Sequence, residues 1–363
     1  MEVPDEIPRA TSAPRVSRPR AAIMSDVGRL AGVSHQTVSR VINGSPHVRP
    51  ETRDRVLAAM RELGYTPNPV ARALVTGRSN TLGVVSFDTT LYGPASTLLG
   101  IERAAHEAGY FIIIASLKAL NRVSVTDALE RLRRHSVDGI LLITPLQDAV
   151  EALLHAPKEI PLVAAEAGPE ESGIPVVQVD QLAGATAATQ HLLELGHETV
   201  WHIAGPPEFL ESRLRIKGWR TSLAEAGAPV PEPLVGDWSA RSGYEAGRRL
   251  GADPAVTAIF VGNDHMALGV LRALHELGRA VPDDVSVVGF DDIPEAGYFL
   301  PPLTTVRQDF DELGAVGLRL LVGMIEADGP PPTVPPVAPE LVVRASTSAP
   351  SRVIRASTSA PSR

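Results

Sequence analysis

Between Leu82 and about Leu320 the chain alternates short, unbroken apolar runs with amphipathic stretches of 10 to 18 residues, mostly joined through glycine or proline. LGVVSF, YFIIIA, DGILLI, PLVAA, TVWHIA, AIFVGN and SVVGFDD read as strands. Because these runs are continuous rather than alternating, both faces of each strand must be covered, as in a parallel sheet. Helices are predicted over Gly100–Ala108, Val123–His135, Gln181–Leu195 and Asp264–Leu277. The βαβ units fall in two groups, which predicts an α/β core of two similar lobes. Ligands of open α/β sheets sit beyond the carboxyl ends of the strands, here in a cleft between the lobes.

Upstream the rhythm changes. Ser25–Ala31, then Gly32–Val33, then Ser34–Ile42 has the form helix, tight turn, helix, with Gly32 permitting the turn and Ser34 able to cap the second helix. Val38, Val41 and Ile42 fall at helical spacing and must face a core, which turns His35, Gln36, Ser39 and Arg40 outward. A third helix begins at Pro50, a favoured first helical residue, and runs through Val56, Met60 and Leu63. Residues 1–21 are rich in proline, arginine and serine without periodicity and read as disordered. At the other end RASTSAPSR occurs twice, at Arg344–Arg352 and Arg355–Arg363, and residues 345–363 read as a loose polar tail.

Charge sharpens this division. Residues 1–78 hold 12 arginines, no lysine and 7 acidic residues, a balance of +5, while the other 285 residues hold 22 basic and 35 acidic, a balance of −13. A basic module on an acidic body suits a nucleic-acid reader joined to a second function. Gln pairs bidentately with adenine and Arg with guanine in a major groove, whereas hydroxyls and Asn43 suit phosphates. A short solvated helix pair would show the same spacing, so the pattern alone leaves both readings open.

Composition removes other classes. The 363 residues contain no cysteine, which excludes disulfides, thiolate zinc fingers and cysteine nucleophiles. No apolar run approaches the roughly 18 residues of a membrane span, and the acidic, proline-rich opening is no secretory signal, so a cytoplasmic protein without membrane attachment is expected. His197, Glu198 and His202 give HExxxH rather than HExxH, on a turn and strand rather than a helix, so zinc geometry fails; neither GxSxG nor a Walker loop occurs. No catalytic residue, metal or cofactor is expected.

The core does hold residue types suited to a polyol, which is bound by forked polar side chains and an aromatic face. Trp238 could supply that face or simply pack in the core, and Arg215 could fork onto hydroxyls or form a surface ion pair. Asn263, Asp264, Asp291 and Asp292 end buried strands, where ligand groups belong, while a structural role for at least one of each pair, capping the following helix, is the equal alternative.

The segment DVGRLAGVSHQTVSRVINGSPHVRPETRDRVLAAMRELGYTPNPVARAL resembles the DNA-binding headpiece and hinge of the lactose-repressor (LacI/GalR) family. The resemblance continues in order through HIAGP, RLRIKGWR, GDWSARSGY, VGNDHMALGVLRAL, DVSVVGFDD and PPLTTVRQDF, covering about residues 22–344. It implies base-reading roles for His35, Gln36 and Arg40, and phosphate contacts for Ser34, Thr37, Ser39, Asn43, His47 and Thr52. It also places Asn68, Ala71 and Leu74 on a DNA-contacting hinge helix, with Leu74 wedged into the minor groove. Effector positions fall on Arg215, Trp238, Asn263, Asp291, Gln308 and Phe310, with Phe87 and Glu166 from the other lobe.

Several motifs are closest to the lactose repressor itself, which favours a galactoside or other glycoside over a purine. Glu166 and Ile143 depart from it, standing where that repressor has Asp and Asn. Gly28, Arg49 and Ile23 depart in the headpiece, each at about 0.5 to 1 kcal/mol of helix stability.

The resulting expectation is a repressor acting as a homodimer on double-stranded operator DNA under a small carbohydrate. Its parts are a disordered extension 1–21, a headpiece 22–67, a hinge 68–79, a two-lobed periplasmic-binding-protein-like core 80–344 and the tail 345–363. Lobe 1 is expected over about 80–179 and 310–344, and lobe 2 over 180–309. A sugar-binding transport component and a sugar-processing enzyme share such a core and are the rival readings.

Overall fold

The computed structural model describes residues 22–66, 77–87, 89–117, 122–143, 159–166, 173–327 and 332–351. The chain divides into two units, Met1–Ser79 and Asn80–Arg363. The extension 1–21, the hinge positions Asn68, Ala71 and Leu74, and the second copy of the repeat lie outside the described residues.

In the first unit, α1 (Met24–Ala31), α2 (His35–Ile42) and α3 (Pro50–Glu62) close around Val27, Ala31, Val38, Val41, Val56 and Ala59. Gly32 takes the left-handed conformation, φ 63°, that ends α1 and allows the two-residue turn. Ser34 caps α2, its Oγ accepting from the Thr37 amide at 3.2 Å. As the sequence suggested, neither Ile23 nor Arg49 makes a side-chain cap, although Asp26 accepts from the Ile23 amide at 3.1 Å.

In the second unit one sheet is formed by β1 (Thr81–Phe87), β2 (Phe111–Leu117), β3 (Gly139–Ile143), β4 (Leu162–Ala165) and β5 (Val176–Val177). Its order is β2-β1-β3-β4-β5 and every pair is parallel. α4 (Tyr92–Glu107) and α5 (Arg122–Arg134) pack on it.

α6 (Gln181–Glu194) opens the second lobe, followed by β6 (Trp201–Ala204), α7 (Leu210–Glu225), β7 (Leu234–Val235), α8 (Ala240–Gly251), β8 (Ala258–Val261), α9 (Asp264–Glu276), β9 (Ser286–Asp291) and β10 (Thr304–Arg307). With β11 (Glu340–Val342) the sheet order is β11-β10-β9-β8-β6-β7, and only β11 is antiparallel to its neighbour. The seven apolar runs all became strands. Six of them are buried under helices, which is why they carry no alternation, whereas the edge strand β2 leaves Phe111 and Ile114 exposed.

Two expected boundaries need correction. α10 (Phe310–Glu326) returns to the first lobe and packs on α4, β3, β4 and β5 as expected, and Val334 and Val337 still lie against that lobe's core, but the chain then crosses back and β11 joins the second sheet, so 340–344 does not belong to lobe 1. The first copy of the repeat is also no loose tail through Ser351. Ser346 is fully buried, its Oγ donating to the Val287 carbonyl at 2.6 Å and accepting from the Thr304 amide at 2.8 Å. Arg344 donates to Asp292 at 2.6 Å, and the Ser348 carbonyl accepts from His197 Nε2 at 3.1 Å. Hydroxyls and backbone hold this segment, so it needs no apolar period to dock.

Candidate functional site

The first unit presents a polar helix face. Burial of Val38 and Val41 leaves His35, Gln36 and Arg40 exposed on α2, with Thr37 and Ser39 half-buried beside them. Ser34 Oγ and Thr37 Oγ1 lie 3.0 Å apart, and Asn43 Nδ2 donates to Ser39 Oγ at 3.4 Å, so these short polar groups are already oriented. His47 is exposed on the turn before α3 and Thr52 is half-buried in its first turn. Arg53 ties that turn down by donating to the Ser45 carbonyl at 2.8 Å.

In the second unit a cavity of about 310 Å³ opens between the two lobes. It lies at the carboxyl ends of the strands of both sheets. Ile143 ends β3, Glu166 follows β4, Asn263 follows β8, Asp291 ends β9 and Gln308 follows β10. Seven of the eight expected effector residues line it: Glu166, Arg215, Trp238, Asn263, Asp291, Gln308 and Phe310. The eighth, Phe87, does not; it packs half-buried against the core of the first lobe beneath β1, because the side chain at the end of that strand turns into the sheet's cover. Glu166, Trp238 and Asp291 all have positive φ, at 58°, 71° and 111°, backbone strain concentrated where the polar groups converge.

Arg215 is the hub. It comes from the buried face of α7, donates to Gln181 Oε1 at 2.9 Å and to the Gly262 carbonyl, and lies 3.7 Å from Asp291 Oδ1. Its guanidinium stacks over Phe290 at 3.8 Å. Gln181 passes the network to Gln308 at 2.7 Å, and Gln308 donates to Asp291 at 2.7 Å. Trp238 stands half-buried at the cavity wall, edge-on to Phe209 at 5.7 Å, with Arg215 5.6 Å from its ring. A Cβ at Gly205 would overlap the Trp238 indole, so this wall exists only because residue 205 has no side chain.

The paired residues at the strand ends divide their work. Asn263 caps α9 through the Met266 amide at 2.9 Å and also reaches the cavity, while Asp264 is buried behind it, accepting from Thr305 at 2.6 Å and the Ile293 amide at 2.9 Å. Asp291 faces the cavity, whereas Asp292 holds Arg307 at 2.7 Å and Arg344 at 2.6 Å. The two histidines of HExxxH are structural. His197 bonds Thr257 at 2.9 Å and Ser286 at 3.1 Å, and His202 stacks on Phe260 and is held down to about 4 by burial.

Burial also governs the carboxyls. Glu166 is pushed up to about 7 and Asp291 to about 6, each chiefly by burial and each drawn back by Arg215. Glu211 is raised well above the usual range by burial and by the charge of Glu166. Sequence reasoning missed Glu211, Gln181, Tyr92 and Phe209, all of which line the cavity. None carries a local signal; Tyr92 is visible only as the edge-on partner of Phe310 at 5.8 Å. Among the described residues no three His, Asp or Glu side chains are grouped to hold a metal ion, and no helix is long and apolar enough to cross a membrane.

Known proteins share this arrangement. The family profile for bacterial regulatory proteins of the lacI family matches residues 23–68, and a periplasmic binding protein-like domain matches 189–347. The ribose operon repressor of Escherichia coli is 35% identical over 308 residues, 84% of this chain and 93% of that protein. The transcriptional regulator CelR of Thermobifida fusca is 37% identical over 355 residues, 91% of this chain and all of that one. Among solved structures, a lac repressor dimer bound to operator and the anti-inducer ONPF has a TM-score of 0.81 at 33% identity, covering 91% of this chain and 100% of that one. A CelR–cellobiose complex has a TM-score of 0.67 at 35% identity, with 91% and 100% covered.

Proposed function

The chain belongs to the lacI family of bacterial regulatory proteins, and from that premise we propose that it is a sequence-specific transcriptional repressor whose operator affinity is set by a small carbohydrate held between the lobes of its second unit. One observation carries the reading: a single chain joins an exposed His35, Gln36 and Arg40 face on a turn-linked helix to a cavity ringed by Arg215, Asp291, Gln308 and the Trp238 indole.

The chemistry follows from the two surfaces. Gln36 and Arg40 offer forked donors and acceptors to base edges, while Ser34, Thr37, Ser39, Asn43, His47 and Thr52 offer short polar groups that fix register on phosphates. Two copies on a pseudo-palindromic site double these contacts, so a homodimer working on cytoplasmic DNA is the expected form. In the cavity, the indole takes the C–H face of a sugar ring and the amide and carboxyl groups take its hydroxyls. Ligand that binds one arrangement of the lobes better than another shifts the population between them, and that difference in affinity is what operator binding would sense. Asn68, Ala71 and Leu74 are the segment through which it would pass; a short helix there gains stability only with a partner, and Leu74 would find one between base steps.

The test is fluorescence anisotropy on operator-like duplexes selected from a random pool, with mono- and disaccharides added. We expect a selected sequence bound in preference to random duplex, release or tightening by a sugar, and no consumption of that sugar. Arg40→Ala should weaken selected sequence by about 1–3 kcal/mol and leave random duplex nearly unchanged. Equal losses on both, or turnover of the sugar, would overturn the reading.

A further inference from the structure

Among its described residues the cavity is lined by more carboxyls than cationic side chains. Glu166, Glu211 and Asp291 line it, with Asp237 at its more exposed edge, and among the described residues Arg215 is the one Arg or Lys in the lining. That guanidinium is already committed to Gln181, the Gly262 carbonyl and Asp291. Asp291 is answered by Gln308 and Arg215, and Asp237 by the hydroxyls of Ser239 and Ser242 and by the Ser239 amide. His265 also lines the cavity but is exposed, beside Tyr92 at 6.4 Å.

Two oxygens remain. Glu166 is 8% exposed, and its Oε1 has no hydrogen-bond partner; the Val179 amide and Gln181 bond its carboxyl without reaching that atom. Glu211 Oε2, in the first turn of α7, is likewise buried without a partner. The two carboxyls sense one another, since the charge of Glu166 is the second cause, after burial, of the rise at Glu211. Neither oxygen has exposed surface of its own, but both side chains line the cavity; buried unpaired carboxylates are costly, so burial raises both carboxyls toward the protonated form unless a cation in the cavity answers them.

On the reading of this cavity as a carbohydrate site, we infer that its ligand carries a protonated amine, as an amino sugar or aminocyclitol does, with the ammonium between Glu166 and Glu211 and the ring against Trp238. A neutral hydroxyl donates one hydrogen bond and leaves the two carboxyls to the protonated form that burial favours. An ammonium donates three and offsets the ionisation of a carboxyl with a full opposite charge, which in a site screened from water is the larger gain. The aromatic wall of Trp238 and Phe209 favours a cation as well as a ring face. An organic cation fits better than a metal ion, because no metal-holding group of three His, Asp or Glu is found among the described residues.

The experiment is calorimetric titration of the full chain with glucosamine, galactosamine, mannosamine and the glucosamine disaccharide. Each is paired with its neutral parent (glucose, galactose, mannose, cellobiose) and its N-acetyl form, up to about 10 mM. We expect at least one amine to bind about tenfold or more tighter than both partners. Glu166→Gln and Glu211→Gln should each weaken that amine by about tenfold more than they weaken its neutral parent. Melting of the unliganded variants at or above the parent temperature guards against misfolding, since each change replaces a carboxyl whose charged form burial disfavours. A neutral sugar that binds as well as its amine, or an amine preference that survives both substitutions, overturns the inference. If that neutral sugar also releases operator, the repressor reading stands and only the inference falls. If no sugar of any class binds, both the inference and the carbohydrate reading fall, while operator binding without ligand is judged separately.

Discussion

Gly205 and Trp238 show how one absent methyl group can shape a site. The indole occupies the space a Cβ at 205 would need, so Gly205→Ala should push Trp238 off the cavity wall. Sugar binding should weaken by about tenfold or more with operator binding kept, read by titration against tryptophan fluorescence. Unchanged affinity would show that the indole is not a ligand surface. Glu166 gives a second prediction at this scale. Its carboxyl is pushed up from 4.5 to about 7, chiefly by burial, so its contribution to stability is fully present below about 4.5 and is lost as pH rises through 7. Glu166→Gln removes that loss. The unliganded variant should melt a few degrees above the parent at pH 8 and alongside it near pH 4.5. His202, held down to about 4, works in the opposite sense at the acid end, but it is common to both proteins and cancels. A difference independent of pH would count against a buried charge.

The helices of the first unit are short, and their ends carry much of what holds them. α3 starts behind Arg49, which leaves the first amides without a side-chain acceptor and places a cation against the positive end of the helix. Its extended backbone, φ −59° and ψ 143°, suits a serine. Arg49→Ser should therefore stabilise the headpiece by about 0.5–1 kcal/mol, seen as slower amide exchange in α3. Faster exchange would mean that Arg49 makes a contribution the helix end does not reveal. In the second unit, α7 shows the value of a single face: Ser212, Arg215, Trp219 and Ser222 recur at helical spacing and are all buried, which delivers Arg215 to the network around Asp291.

At the scale of the whole chain, the duplicated segment separates into two parts. Residues up to Ser351 are held to β9, β10 and His197, while the second copy lies beyond them. Deleting 353–363 should leave the melting temperature unchanged. Deleting 345–363 should lower it by several degrees, because buried groups such as the Thr304 amide and Val287 carbonyl lose their partners at about 1–3 kcal/mol each. Scanning calorimetry on both truncations decides it, and equal melting would deny the docked copy any role. Neither deletion should alter a dimer measured by light scattering, since the segment has no leucine and no heptad period to form a further seam.

What the sequence determined by itself is what depends on near neighbours. Unbroken apolar runs announced seven strands, six of them because burial on both faces leaves no alternation and the exposed edge strand β2 by its run of β-formers alone, and Val38, Val41 and Ile42 set the outward face of α2 because helical spacing is local. The rest was out of reach for reasons that can be named. β5, β7 and β11 are two or three residues long, too short for a run to stand out, β10 (TTVR) has one apolar residue in its four, and α4 begins at Tyr92 rather than Gly100 because Gly93 and Pro94 mask its first turn. The family resemblance had already picked Asn263 and Asp291 for the ligand, and only tertiary structure decided what Asp264 and Asp292 hold: Thr305 and the Ile293 amide for one, Arg307 and Arg344 for the other. It alone turned Phe87 into the first lobe's core and brought Gln181, Glu211 and Tyr92 to one wall. Polar networks are made between distant segments, and their energy rests on burial and partners that no stretch of sequence contains.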